Sequence, residues 1–500
     1  MMSKQAELVL NLRKSAGTIS PLIYGHFAEH LGGVIYDGLW VGEDGPVENI
    51  RGFRKALVES FRKINPPVVR WPGGCFAETY NWRDGIGPRD QRPERLNWWY
   101  HDDGRTESNA VGTHEFMDFC RMVGAQPYFA ANMTSLHPLA IRDWIEYCTF
   151  PAGKITLTRE RAANGDVEPF DIQLWGIGNE TWGGGGLMTP ETTVREYARY
   201  VQICHVIAQK KYKFIMSGAN GHDIEWTRRM MREWSRATDG RASMWGMSIH
   251  YYCRTAGQPQ DFTEDQWYQL LFHADFMRRI VDDHRAAMDE FDPDRRVRMV
   301  IDEWGCWHAH GSGPSHGANL FEQQSSMRDA VITALTLNIF NNRCDAVGMA
   351  NVAQLCNCLH SLYLANGNHF VETPNYHVFD MFKTHQGGRN IDTAVNCDSV
   401  EREGFRRMEL LSASASEKGG RITITLANLH MTESQSVKLS AVGGELRGRA
   451  SVRVLRHDDV HACNTFDDPT AVTPRGYEIE LTGRDTIEVP AASVMAIIVG

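Results

Sequence analysis

The sequence predicts an α/β protein, a (β/α)8 barrel of the TIM type joined to a C-terminal antiparallel β-sandwich. Three observations predict it. Eight short apolar runs alternate with amphipathic stretches over residues 19–385. Polar side chains stand at the ends of nearly all of these runs, where a barrel of this kind presents its functional groups. After residue 385 the texture changes to period-two alternation with no long helical stretch between.

In chain order the candidate strands are 19–27, 66–71, 126–132, 171–179, 213–220, 244–252, 297–304 and 344–351. Helical spacing lies between them: Phe53, Leu57, Phe61 and Ile64 share one face, as do Phe116, Phe119, Cys120 and Val123. A further helix opens at Thr189 as N-cap, with Pro190 at its first position and Glu191 behind it. His26 and Glu29, Arg70, Asn132, Asn179 and Glu180, Asn220, His250, Glu303 and Asn351 fall at strand ends. A doubly wound sheet is the alternative, but it needs no such series, and no GxGxxG opens the chain. RITITLANL, SVRVL and TIEVP then alternate as strands of the sandwich. The early stretch AELVLNL alternates too and is expected to pair with them. The expected division is thus residues 1–18 as an outlying strand of the sandwich, 19–385 as the barrel and 386–500 as the sandwich.

Of 500 residues, 42% are hydrophobic and 23% charged, and the formal net charge is −10, the balance of a globular protein with a sizeable core. The acidic balance argues against nucleic acid or an anionic membrane as partner. No window holds the roughly 18 apolar residues of a membrane span, and MMSKQAELVLNLRKSAG lacks the apolar stretch of a secretion signal. Eleven cysteines, an odd number spread from Cys75 to Cys463, read as reduced thiols and point to the cytoplasm.

Glu180, in LWGIGNETWGGGG, and Glu303, in IDEWG, end the fourth and seventh candidate strands. Glycosidic cleavage needs two carboxylates flanking the bond, one to protonate the leaving oxygen and one to attack or to activate water. A surface ion pair at each strand end is the simpler account of one such Glu; two of them beside Trp residues favour chemistry. Asp302 points the other way by strand alternation and is read as structural. The stretch RWPGGCFAETYNWRDGIGPRDQRP (70–93) is too polar for core; its Arg suits a carboxylate partner and its glycines a close backbone approach.

GHFAEHLG, RWPGGCFAETYNWRDGIGPRDQRP, GTHEFMDFC, GIGNETWGGGG, HYY, IDEWG, ALTLNIFN and MANVAQLCN, in that order, resemble the α-L-arabinofuranosidases of glycoside hydrolase family 51 over most of residues 20–400. The resemblance implies a retaining barrel enzyme with a β-sandwich, acting on terminal α-L-arabinofuranosyl groups of small oligosaccharides and needing no cofactor or metal. It implies Glu180 as acid/base and Glu303 as nucleophile. It also implies Asn179 and Glu29 as partners of sugar hydroxyls, Cys75 as lining of the sugar subsite, and Arg70 and Tyr252 as orienters of the nucleophile. Gln354 would contact the sugar and His250 would neighbour the site. Family members are often homo-oligomers, hexamers among them. Thr181 and Gly184 depart from a family pattern that often reads Asn and Cys there, which bears on the leaving-group side.

Three readings compete. The same site could serve another glycone, as a β-xylosidase, an endoglucanase-like enzyme or a galactofuranosidase. The scaffold could bind sugar without catalysis. The histidines of WHAHGSGPSHG (His308, His310, His316) could hold zinc, although no adjacent carboxylate or thiol pattern completes a site and a loop over the barrel mouth is the simpler reading. Trp98, Trp99 and Tyr100 read equally as a sugar-stacking platform or as loop anchors.

Overall fold

The computed structural model describes residues 4–500 except 101–103, 205, 240–241, 255 and 310. Eight strands close a barrel in chain order: Gly25–Phe27, Val68–Trp71, Gln126–Ala131, Leu174–Ile177, Lys213–Asn220, Gly246–Arg254, Arg298–Trp307 and Val347–Ala353. Consecutive strands from the first to the sixth pair in parallel. Their burial is continuous rather than alternating, as in Val68–Trp71 and Leu174–Ile177, because a parallel strand in such a barrel is covered on both faces.

The first strand is shorter than the alternation suggests. Pro21 begins a single 3-10 turn, Pro21–Tyr24, and only Gly25–Phe27 joins the barrel. A proline has no N–H to give to a ladder, so the run opens as a turn. Among the helices, Pro190–Ile203 shows most plainly how local sequence sets a boundary. Thr189 accepts from the Thr192 N–H as N-cap, and Pro190 occupies the position where its missing donor costs nothing.

By compactness the chain divides into two units, one of residues 25–251 and 283–303, the other of 1–24, 252–282 and 304–500. The second contains a nine-stranded sheet whose strands come from Lys4–Asn11 and from residue 389 onward (Arg389–Asn396 to Ser493–Val499). Leu8 and Leu10, Ile391, Ala415, Ile424, Leu426, Val437, Leu439, Val452, Met495 and Ile497 all enter one buried cluster. Strands from both ends of the sheet can share that core only if the sheet curls over itself into the two layers of a sandwich. The strand Lys4–Asn11 pairs antiparallel with Arg389–Asn396 and parallel with Gln435–Val442; the latter is the exception in an otherwise antiparallel sheet. Among the described residues no helix is long and apolar enough to cross a membrane.

Candidate active site

In the unit of residues 25–251 and 283–303, five barrel strands and the loops that follow them bring Glu29, Arg70, Cys75, Asn179, Glu180, His250 and Glu303 together. Glu303 lies within its strand, Arg298–Trp307, rather than at its end, and is 6% exposed. Glu180 stands three residues beyond Leu174–Ile177 with φ 42°, a left-handed backbone that a non-glycine residue adopts only when its surroundings impose it.

The imidazole of His250 joins the two carboxylates. Its Nδ1 is 2.9 Å from Glu180 Oε1 and 3.4 Å from Glu303 Oε2. One donor atom from each of these three residues lies within 4.8 Å of the others. Burial works against a charge on His250, but Glu303 and Glu180 outweigh it and raise its pKa above the ordinary histidine value.

Arg70 fixes the other side of Glu303. Its Nη1 donates to Glu303 Oε1 at 2.8 Å and its Nη2 to Asn179 Oδ1 at 2.6 Å, while Nε lies 3.5 Å from Asp302 Oδ2. A planar guanidinium reaches these groups from one rigid fork, which a lysine cannot do. Although burial opposes the charge, Asp302 and Glu303 hold Arg70 cationic. Asp302, expected to face away from this cluster, is buried and accepts from Tyr128 Oη at 2.8 Å. It therefore shares the cation of its neighbour.

Glu29 accepts from the Phe76 N–H at 2.9 Å and from Trp99 Nε1 at 3.1 Å. Burial and the nearby charge of Glu303 push its carboxyl up to about 7, against the pull of these donors. The Cys75 thiol, 3.6 Å from Glu180 Oε2, is driven far above its usual range by burial and by Glu180, Glu29 and Glu303, so it keeps its proton. The glycines before it serve contact inside the protein: a Cβ on Gly74 would sit 2.8 Å from Glu303 Oε1.

Tyr252 and Gln354 belong to the other compact unit. Tyr252 sets its ring edgewise to Trp307 at 5.1 Å, and the buried Gln354 gives its backbone N–H to the Cys358 carbonyl at 3.1 Å. Of the remaining sequence candidates, Trp99 anchors Glu29, whereas Trp98 packs edgewise on Trp99 at 4.8 Å. His310 lies outside the described residues.

The loop after Glu180 turns back on itself. The Gly183 and Gly185 N–H groups both donate to the Glu180 carbonyl, at 2.7 and 3.1 Å. A Cβ on Gly185 would lie 1.7 Å from the Asn179 carbonyl oxygen. Thr181 is buried and bonds Thr193 Oγ1 at 2.9 Å, away from the carboxylates. Sequence reading passed over Glu78. Buried in the 3-10 segment Cys75–Thr79, it accepts from the N–H groups of Met133 (2.9 Å), Thr134 (2.8 Å) and Asn179, and so ties the third strand's end to the fourth's. A Glu in a predicted loop gives no sign that it will collect backbone donors; its place inside the long polar motif was the one available signal.

A closed (β/α)8 barrel with two glutamates this close, one after its fourth strand and one on its seventh, has the equipment of a glycoside hydrolase. Comparison with known proteins narrows the class. Residues 60–266 match the model of the α-L-arabinofuranosidase 1 domain and residues 302–493 that of the α-L-arabinofuranosidase C-terminal domain. An intracellular exo-α-L-arabinofuranosidase of Bacteroides ovatus is 34% identical over 99% of this chain and 95% of its own. The crystal structure of the family 51 arabinofuranosidase of Xanthomonas axonopodis pv. citri superposes with a TM-score of 0.92 at 35% identity, covering 99% of this chain and all of that one. That of the Thermotoga maritima α-L-arabinofuranosidase in its arabinose complex reaches 0.86 at 28% identity, with 99% and 100% covered. The chain belongs to the family 51 α-L-arabinofuranosidases.

Proposed function

We propose that this chain is a retaining, exo-acting glycoside hydrolase that releases terminal α-L-arabinofuranosyl residues from small arabinose-containing oligosaccharides. Glu303 attacks the anomeric carbon while Glu180 protonates the departing glycosidic oxygen, leaving a glycosyl ester on Glu303. Glu180, now a carboxylate, takes a proton from water, which attacks the same carbon and frees Glu303. Arg70 keeps Glu303 ionised and aimed, Asn179 and Glu29 meet the sugar hydroxyls, and Cys75 lines the subsite as a neutral thiol. For the other unit, the family resemblance implies Tyr252 as an orienter of the nucleophile and Gln354 as a sugar contact.

The observation that carries it is the spacing of the two glutamates. Both lean on one nitrogen of His250, and their nearest oxygens fall within 4.8 Å. Retaining enzymes hold their carboxyl groups about 5–5.5 Å apart, whereas inverting ones leave about 6.5–9.5 Å for a water between. The glycone is supported by the names of the relatives, and a cytoplasmic home by the word intracellular in one of them and by eleven free cysteines. A homo-oligomer, up to a hexamer, follows from the resemblance and is checked by light scattering.

Turnover of p-nitrophenyl α-L-arabinofuranoside beside the β-xylopyranoside and galactofuranoside tests the glycone. The anomer first released, followed by NMR, tests the stereochemistry. Preference for the xyloside, or first release of the inverted sugar, would refute the corresponding half of the proposal.

A further inference from the structure

In the unit that carries the C-terminal sheet, Cys306, His308, Asp329 and His360 converge in a fully enclosed cluster, each with at most 3% of its surface exposed. Cys306 and His308 lie on and just beyond Arg298–Trp307, two residues apart and so on one face. Asp329 is in the first turn of the helix Met327–Asn342, where its Oδ2 accepts from the Ser326 N–H at 2.8 Å and caps the helix. That leaves Oδ1 facing two histidines. His308 Nε2 is 2.8 Å from it and His360 Nδ1 is 3.7 Å from it. One donor atom from each of Cys306, His308 and Asp329 lies within 4.8 Å of the others.

The surroundings of His360 make this arrangement informative. Thr333 Oγ1 lies 2.7 Å from His360 Nε2, 2.8 Å from the Asp329 carbonyl and 3.1 Å from Asn375 Oδ1, so the Nε2 side of the ring is partnered. The other ring nitrogen, Nδ1, faces Asp329 Oδ1. That Nδ1 is buried without a hydrogen-bond partner. A ring nitrogen and a carboxylate oxygen thus face each other at 3.7 Å, away from water. A metal cation between them would bind both, whereas 3.7 Å is too long for a direct hydrogen bond.

We propose that Cys306 Sγ, His308 Nε2, Asp329 Oδ1 and His360 Nδ1 form a buried structural site for a thiolate- and imidazole-binding divalent metal, zinc foremost. Tetrahedral zinc with bonds of about 2.0–2.3 Å spaces its donors about 3.2–3.8 Å apart; of the two distances at Asp329 Oδ1, 3.7 Å falls within that range and 2.8 Å below it, so His308 would move outward by a few tenths of an ångström. One thiolate, one carboxylate and two neutral imidazoles cancel the charge of the ion, as burial demands. The surroundings fix the donors. The Gln323 amide accepts from the His308 N–H at 2.8 Å and donates to the Cys306 carbonyl at 3.1 Å, clamping that segment. A Cβ on Gly305 would lie 2.4 Å from the Cβ of His360, so glycine there admits the histidine. The site departs from the expectation of no metal, because Asp329 and His360 are remote in sequence from the histidine loop. It shares no residue with the Glu180–His250–Glu303 group.

Enclosed donors acquire metal as the chain folds, so the full-length protein is produced in minimal medium supplemented with zinc or with cobalt and its metal content is measured by mass spectrometry. The expected result is about one zinc per chain, and in the cobalt form a thiolate-to-metal charge-transfer band with the visible absorption of a tetrahedral ion. Cys306→Ser removes the band, and His360→Gln lowers metal content about tenfold or more at equal metal in the medium. Should these variants not fold, the stoichiometry and cobalt spectrum of the unaltered protein decide. Less than about a tenth of a metal ion per chain overturns the proposal and leaves a metal-free histidine–aspartate pair. Metal content and spectrum unchanged in both variants overturn it equally.

Discussion

Glu29→Gln separates the charge of Glu29 from its shape. The glutamine oxygen keeps the bonds from the Phe76 N–H and Trp99 Nε1, so the variant reproduces the protonated carboxyl without titrating. Glu29 carries a folded pKa of about 7 against an ordinary value of 4.5, through burial first and Glu303 second. Its folded pKa is raised, so the native state holds a proton that the unfolded chain has released between these values. The stability this contributes is complete below about pH 4.5 and is lost as pH rises through about 7. At about 1.4 kcal/mol per unit, the loss across that window is about 3 kcal/mol. Thermal unfolding of the native protein and the variant at pH 5 and pH 8 reads it directly. The two should unfold together at pH 5, and the variant should be the more stable by a few degrees at pH 8. A variant that gains nothing between pH 5 and pH 8 would show that Glu29 is ionised in the fold across the range and refute the reasoning.

Other substitutions follow from the same geometry. Arg70→Gln leaves Asp302 and Glu303 buried without their shared cation and should cost about 3–5 kcal/mol of stability, read by denaturant unfolding; a loss under about 1 kcal/mol would mean that water or another donor replaces the guanidinium. Glu78→Gln turns an NH2 towards backbone donors that now meet a carboxylate. It should lose about 1–3 kcal/mol and lower kcat/KM at least about tenfold through Asn179, and activity unchanged beside a lowered Tm would limit Glu78 to a structural role. Gly185→Ala forces the loop off the Asn179 carbonyl, and a displacement of about 1 Å at Glu180 should lower kcat about 100-fold; native turnover would show that the loop yields without moving the glutamate.

The barrel was legible because each of its strands is a compact apolar run closed by a polar residue. Where the reading slipped, a local rule met a global constraint. Alternation put Asp302 opposite Glu303, but the fork of Arg70 is wide enough to engage both, and strand periodicity carries no information about a partner's reach. Glu180 and Glu303 were legible as a pair because glycosidic chemistry requires two carboxylates. Their common dependence on His250 was not, since it arises from the meeting of three separate strands. Trp99 was undecided between platform and anchor until its indole N–H met Glu29. Glu78, Asp329 and His360 act through groups far away along the chain, and a motif read in one dimension cannot show them.

The strand Lys4–Asn11 has a consequence for synthesis. Its parallel neighbour lies so late in the chain that the Glu7–Lys438 ion pair spans 431 residues. At about 5–20 residues per second, the first strand waits roughly 20–90 s after its own translation before Gln435–Val442 exists to receive it. Until its other neighbour, Arg389–Asn396, is made, the buried Leu8 and Leu10 have no sheet to enter. Ribosome pausing before residue 389 would lengthen this exposure, and chaperones that bind short apolar β-segments would have a target in Lys4–Asn11.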